Sequence, residues 1–394
     1  AIFETAKRLR SIQNMYGDDK IAFVVSPKLT NEEFKLIKAV ADELNTKFKG
    51  SFTLDEEPGI EAVLGRNEST ITAEELDNAD LIISAGQLYE HHPAAGMKLR
   101  RLSNTKKIIS ASTIATKMSN FAAKADVDNY EVFFTRVLKA LVENGTIKKE
   151  TISSCQNGEE LIKLLDKIEV LPEALAVAEA FKKAKKPIIV ADENTVPKAA
   201  LKVLADITVL AGNLSRPHRG LIVLKAKANS QGAWNIGFRT SGEEIKKALL
   251  NNELKGLVVI GEDIAGNIPE LKKAISSLKF FAAFDIMENE TTGLAEYVLP
   301  LCSLAESSGT IVSADGTVRN VVQAIKPLTG MSNLQMFKEL AQQLNAVYKE
   351  NAEDKAKVEL YVPALKSIEK EYEVYDTVEK AFLANLKENC VKAV

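Results

Sequence analysis

The sequence predicts an α/β fold with mostly parallel sheets, and two observations carry that expectation. Eight short apolar runs, at residues 21–25, 81–84, 107–110, 187–191, 220–224, 256–260, 280–284 and 297–299, are rich in β-branched and other hydrophobic residues. Their uninterrupted apolar character is that of strands covered on both faces. Between them lie amphipathic segments at 30–44, 130–144, 172–184, 198–211 and 241–251. Strands alternating with helices of this length imply parallel sheets with right-handed crossovers. Asn31 and Glu33 after Thr30 mark a helix start, and Ser241 with Glu244 fits a capping box.

The 394 residues exceed one small domain and suggest two domains or two lobes of one intertwined unit. Hydrophobic residues at 46% and charged residues at 27% are ordinary for a globular chain and argue against pervasive disorder. Lys plus Arg total 51 against 54 Asp plus Glu, a net charge of -3, so no cationic footprint for nucleic acid exists. No apolar run reaches the roughly 20 residues of a membrane-spanning helix, and residues 1–10 lack the charge order of a secretory signal. Cys155, Cys302 and Cys390 lie too far apart for a CxxC pair, an iron–sulfur spacing or a disulfide framework. A reducing, cytoplasmic setting fits them best. His91, His92 and His218 show no zinc spacing. The chain opens at Ala1 in a helix-like run, as a processed chain or a piece of a longer polypeptide would.

From about Asn345 the sequence becomes charged and helix-prone, which reads as a helical tail over 346–394. A solvated face and a docking arm for a partner subunit are the two readings open for it.

Three blocks hold the candidate chemistry. The first runs from a strand at 81–84 through Gly86, Gln87, His91 and His92 to Pro93, where a helix should begin. A strand end of this kind is where open parallel sheets bind nucleotide-like ligands, and the following helix N-terminus favours phosphate. No GxGxxG follows any strand and no GxxxxGK[ST] occurs, so the ordinary dinucleotide and P-loop fingerprints are absent. The second block, 211–237, reads as loop–strand–loop, punctuated by Gly212, Gly220, Gly232 and Gly237. Asn229 and Gln231 there offer amides suited to a heterocycle edge. The third joins Gly261, Glu262 and Asp263 after a strand to Asp285, Glu290 and Thr291, then to Leu299-Pro300, Glu306, Gly309-Thr310 and Gly316.

Taken in order, these blocks resemble the molybdopterin oxidoreductase superfamily of the dimethyl-sulfoxide-reductase type. That superfamily includes formate dehydrogenases and the large iron–sulfur subunit of respiratory complex I. The matching positions run over roughly residues 10–330: Gly86 with Pro93, Ala211-Gly212-Asn213, Pro217, Gly220, Asn229, Gln231-Gly232-Ala233, Gly237 and the third block. The resemblance implies two interleaved Rossmann-like lobes, residues 1–46 with 252–345 and residues 47–251. Each would grip one half of a molybdenum or tungsten bis-molybdopterin guanine dinucleotide. The cofactor positions it implies are Gly86, Gln87, His92, Asn229, Gln231, Gly232, Gly261, Glu262, Asp263 and Asp285.

The departures fall on the cofactor. The family's Asn-Pro after the first Gly is Leu88-Tyr89 here, its Asp-Pro-Arg is missing near 108–113, and its Pro-Gly-Thr-Asp turn reads Val127-Asp-Asn-Tyr130. An Arg–phosphate pair is lost with them. Between Lys47 and Gly65 stands neither Cys nor His to ligate the metal; Asp55, Glu56 and Glu57 are hard ligands in that stretch, or simply an acidic loop. The family's four-cysteine cluster domain and its C-terminal β-barrel are not seen in this sequence. The expectation is a scaffold subunit without catalytic residues or firmly bound cofactor, in a complex I-like or electron-bifurcating hydrogenase or dehydrogenase assembly. Iron–sulfur clusters and flavin would sit on partner chains. The alternatives are an active formate-dehydrogenase-like subunit, with its iron–sulfur part on another chain, and a nucleotide- or pterin-binding module without a redox metal. Cys302 reads as buried and inert, Trp234 as a packing residue at the lobe interface. Arg319 reads either as a partner-facing cation or as a plain exposed arginine.

Overall fold

A computed structural model describes residues 1–53, 59–112, 129–214, 217–349 and 359–363, with the backbone of 123–126. Asp55, Glu56, Glu57, Val127, Asp128, Cys390 and most of the tail from 350 lie outside the described residues, and with them the expectations placed there. The described tail pieces, 346–349 and 359–363, carry no regular secondary structure.

The strands in chain order are β1 (Ile21–Val25), β2 (Lys49–Ser51), β3 (Leu81–Ala85), β4 (Lys107–Ser112), β5 (Ala123–Asp126), β6 (Pro187–Asp192), β7 (Gly220–Leu224), β8 (Thr240–Ser241), β9 (Gly256–Ile260), β10 (Phe280–Asp285), β11 (Tyr297–Pro300), β12 (Gly309–Val312) and β13 (Val318–Val321). All eight predicted runs are strands. The expected helices appear as Asn31–Glu43, Tyr130–Glu143, Pro172–Lys183, Lys198–Leu210 and Gly242–Leu250.

The chain forms two compact units, residues 1–57 with 227–353 and residues 58–226 with 354–394. The first unit is discontinuous and takes in residues 47–57 and 227–251. The reason is hydrogen bonding. β2 pairs with β1, and β8 pairs with β2, so both short strands belong to the first sheet. That sheet has the order β11-β10-β9-β1-β2-β8, every pairing parallel. Alternate residues of β1, β9 and β10 feed two cores. Phe23, Val258, Ile260, Phe280 and Phe284 pack with helices Ile2–Tyr16, Asn31–Glu43 and Asn333–Gln343 on one face. Ala22, Val24, Leu257, Val259 and Phe281 pack with Gly242–Leu250 and Leu271–Ser276 on the other. Double burial explains the continuous apolar runs. β12 and β13 form a separate antiparallel hairpin in this unit.

The second unit holds a parallel sheet of order β5-β4-β3-β6-β7. Ile83, Ile109, Ile189 and Val223 face the larger core with helices Tyr130–Glu143, Pro172–Lys183 and Lys198–Leu210. Ile82, Ile108, Ile188 and Ile222 face Pro93–Leu102 on the opposite side.

Thr30 makes a complete capping box with Glu33 at the start of Asn31–Glu43, as its spacing suggests. At Gly242–Leu250, Ser241 Oγ accepts the Glu244 N–H at 3.1 Å. Among the described residues, no helix is long and apolar enough to cross a membrane.

Candidate functional site

In an open parallel sheet, ligands lie beyond the strand carboxyl ends where the strand order reverses. Each unit has such a point. In the first sheet it falls between β1 and β9, so Gly261, Glu262 and Asp263 stand at it, with Asp285 at the end of the next strand, β10. In the second it falls between β3 and β6, so Gly86 and Gln87 stand at it, with His92 just beyond.

At the first point Glu262 is half-buried and held across the strand ends: Ser51 Oγ donates to one carboxylate oxygen and the Phe52 N–H to the other at 3.3 Å. Burial pushes the carboxyl group up to about 7, although these two bonds and the nearby Lys227 and Lys28 pull it down. Asp263 is turned inward. It caps the short helix Ile264–Asn267 through the Gly266 N–H at 3.1 Å and accepts from the Thr291 hydroxyl at 2.7 Å and the Thr291 N–H at 3.1 Å. Burial alone would raise its pKa, but those bonds and Lys272 more than offset it. Asp285 accepts from the Ile286 N–H at 2.7 Å and from Asn289 Nδ2 at 2.8 Å.

Asn229 is completely buried and spends both ends of its amide on its own unit. Nδ2 donates to Leu29 O at 2.8 Å and Asn31 Oδ1 at 3.1 Å, and Oδ1 accepts the Val312 N–H at 2.8 Å. Asn31 Nδ2 reaches Thr310 Oγ1 at 3.0 Å, and Glu32 accepts the Thr310 hydroxyl and N–H, both at 2.8 Å. This network pins the β12–β13 hairpin beside Asn31–Glu43. Gly232 has no room for a side chain, because a Cβ there would stand 2.2 Å from both Asn229 Oδ1 and Asn31 Oδ1. The segment read as a loop after β7 is a helix, Ser230–Ile236, starting at Asn229. Its Gly is tolerated because it lets the two amides close over it. Gln231 is buried and donates to Asn235 Oδ1 at 2.8 Å.

At the second point the organising residue is Asp192, the last residue of β6, which is fully buried. His91 Nδ1 lies 2.8 Å from its Oδ2 and His92 Nε2 lies 3.0 Å from its Oδ1. Thr195 Oγ1 donates to Oδ2 at 2.7 Å and the Asn194 N–H to Oδ1 at 2.9 Å. Burial would raise this carboxyl, but the two histidines and the two other donors hold it well below the usual carboxylate range. An ionised carboxylate only accepts, so both facing ring nitrogens carry protons. Thr195 Oγ1 also accepts the Gln87 N–H at 3.0 Å. Gly86, with φ +92, would bring a Cβ within 2.4 Å of that hydroxyl. Next to Asp192, Glu193 pairs with Lys198 and lies 3.4 Å from the buried Lys225, which also donates to Asn67 Oδ1 at 3.1 Å.

Leu88, where the resemblance calls for Asn, is only 1% exposed and belongs to the smaller core with Ile82, Leu99 and Leu102. Tyr89 leans over Gly96, whose Cβ would meet its ring at 2.5 Å. Cys302 is buried as expected, its Sγ 3.3 Å from Met331 O. Trp234 is buried with the Arg239 guanidinium 4.9 Å from its ring centroid, and Arg319 is exposed on β13. Among the described residues, no group of three or more His, Cys, Asp or Glu is placed to hold a metal ion.

Sequence reasoning missed Asp192, Thr195, Glu32 and Ser51. An Asp closing a buried strand was the one available signal.

Comparison with known proteins agrees with this architecture. At 25% identity over 402 residues, the chain aligns with F420-dependent formate dehydrogenase 2 subunit alpha of Methanococcus maripaludis, covering 87% of this chain and 60% of that one. An NADH-quinone oxidoreductase subunit of Pseudomonas putida is 29% identical over 168 residues, 41% of this chain and 18% of the relative. Acetylene hydratase from Pelobacter acetylenicus superposes with a TM-score of 0.72 at 12% identity, covering 87% of this chain and 58% of that structure. The chain spans 39–60% of the length of the first curated relatives it matches. The molybdopterin oxidoreductase family model matches residues 1–343, and the chain belongs to that family.

Proposed function

We propose that this chain is a scaffold subunit of a multi-subunit, cytoplasmic electron-transfer assembly of the complex I-like or electron-bifurcating type, and that it has lost the metal–pterin cofactor of its family. Iron–sulfur clusters and flavin would belong to partner chains. One observation carries the reading. At the switch point of the second sheet, the position expected to present an amide to the cofactor is Leu88, which is buried among Ile82, Leu99 and Leu102. An apolar side chain committed to the core has no group to offer a pterin dinucleotide. The residues therefore do not fit that group in this unit. In the first unit, Asn229 has both amide ends committed to its own chain, so it too has less to offer. Gly86, Gln87, His92, Asn229, Gln231, Gly232, Gly261, Glu262, Asp263 and Asp285 are then inherited positions that now serve folding.

A second reading, an active molybdenum or tungsten bis-pterin oxidoreductase related to formate dehydrogenase, is favoured by Gly261 and Glu262 standing at the reversal point of the first sheet. Metal and pterin analysis of the native assembly separates the two. A scaffold would show iron in the assembly with neither molybdenum nor tungsten on this chain. A near-stoichiometric metal with a pterin would replace that reading by the second.

A further inference from the structure

Helix Lys198–Leu210 buries an apolar face through Leu201, Val203, Leu204 and Ile207, and in the middle of that stretch stands Asp206, 0% exposed. Its Oδ1 accepts one hydrogen bond, from the Tyr361 N–H at 3.1 Å. Its Oδ2 is buried and has no hydrogen-bond partner among the described residues. A buried carboxylate would need several donors or a cation; among the described residues, this one has a single backbone N–H.

That N–H belongs to residues 359–363, which lie across the second unit. Leu360 is buried in the main core of this unit, with Tyr361 and Val362 packed beside it. The Leu360 N–H donates to Gln156 O at 3.3 Å, and Asn157 Nδ2 donates to Leu360 O at 3.3 Å. Gln156 Nε2 donates to Glu359 Oε1 at 2.6 Å, and the Tyr361 hydroxyl donates to Glu131 Oε1 at 2.8 Å.

We propose that residues 359–363 form a proton-controlled strap, pegged at Asp206 and released when the Asp206 carboxyl group loses its proton. As the neutral acid, Asp206 needs no counter-ion and accepts the Tyr361 N–H through its carbonyl oxygen. As the anion, it must be hydrated, and water reaches it by lifting the strap. The charged and titratable groups of the packed elements do not replace the missing cation. Lys202, one turn earlier, has its ammonium 5.2 Å from the Tyr361 ring centroid, and Lys198 pairs with Glu193. On Tyr130–Glu143, Glu131 accepts from Tyr361, Lys139 pairs with Glu143 at 3.2 Å, and Arg136 is buried; Glu61 stands on the neighbouring Glu61–Leu64 helix, and Glu359 takes the Gln156 amide. Burial raises the Asp206 pKa well above the ordinary value, with the Tyr361 N–H the one opposing influence.

The sign follows. A carboxyl raised in the docked state holds its proton there more tightly than when exposed. Docking is strongest in acid, weakens as pH climbs from the exposed pKa, about 3.9, towards the docked one, and is constant beyond it. Hydrogen exchange of the Leu360 and Tyr361 amides in the full chain, corrected for intrinsic base catalysis, reads this directly. Between about pH 5 and 9 the wild-type protection factors should fall by about tenfold per pH unit until the docked pKa is passed. Asp206→Asn keeps an acceptor without a proton to lose, so its protection should vary less than about twofold over the same range. Tyr361→Phe removes the bond to Glu131 and leaves the peg, so protection should drop at every pH while its fall with pH keeps the wild-type slope. Wild-type protection that is flat with pH overturns the proposal, as does an Asp206→Asn profile parallel to the wild type. Should Asp206→Asn not fold, the wild-type and Tyr361→Phe profiles decide: a shared fall with pH supports the strap, and protection that is flat with pH in both overturns it.

Discussion

Asp192 and His92 close the second sheet at its reversal point: His92 Nε2 lies 3.0 Å from Asp192 Oδ1, while His91 and Thr195 occupy the other oxygen. Four donors converge on one buried carboxylate, which joins the residues after β3 to those after β6. The cluster fixes the loop after β3 with side chains of the chain itself.

Asp192→Asn leaves one acceptor oxygen and turns an NH2 group towards a histidine N–H. Loss of stability by about 1–3 kcal/mol is expected at neutral pH, measured by urea unfolding. The pH dependence follows from the depressed carboxyl. Its stabilising contribution is complete above the unfolded pKa, about 3.9, and is lost as pH falls from there towards the folded value. The difference between wild type and variant should therefore shrink on acidification below about pH 4.

Glu262 has the opposite sign. Its carboxyl group is raised to about 7 by burial, so the folded chain binds a proton that the unfolded chain has already released. Stability is lost as pH rises from the unfolded pKa, about 4.3, through 7. Glu262→Gln keeps one acceptor, for the Phe52 N–H, offers its NH2 to the Ser51 hydroxyl, which can turn to accept, and removes the titration. The variant should gain on the wild type as pH rises across that window, and a constant offset would contradict the assignment.

Gly232 should be irreplaceable on steric grounds alone. In Gly232→Ala the new methyl meets two amide oxygens at 2.2 Å, each already held by hydrogen bonds, and a cost of about 2–4 kcal/mol is expected. Gly293→Ala is the control, since its Cβ would meet nothing within 4 Å; its effect should stay within about 0.5 kcal/mol.

Leu88→Asn restores the residue type that the family resemblance calls for. Because Leu88 is core, the exchange should destabilise the chain by about 2–5 kcal/mol, through the lost apolar packing and a buried amide. Thermal unfolding of the variant checks this, and an unchanged midpoint would mean that the side chain faces a cavity instead.

The fold was legible because each main strand is buried on both faces, which writes itself as an apolar run such as 256–260 or 187–191. The short strands were not: Lys49–Ser51 and Thr240–Ser241 carry almost no apolar signal and are strands because β1 pairs with the first and the first pairs with the second. Gly86, Gly261 and Glu262 were readable as strand-end residues, because glycine and acid after a buried strand leave a local trace. The partnerships of His91 and His92 with Asp192, 101 and 100 residues away, leave none. Asn229 was visible as a polar residue near a strand end, but the direction in which its amide is spent depends on Leu29, Asn31 and Val312.

Elemental and pterin analysis of the purified native assembly tests the central claim most directly. The expected result is iron, contributed by partner chains, with molybdenum and tungsten each far below one atom per copy of this chain and no fluorescent pterin product. Molybdenum or tungsten approaching one atom per copy, released together with a pterin, would contradict the claim and make these strand ends a working cofactor site.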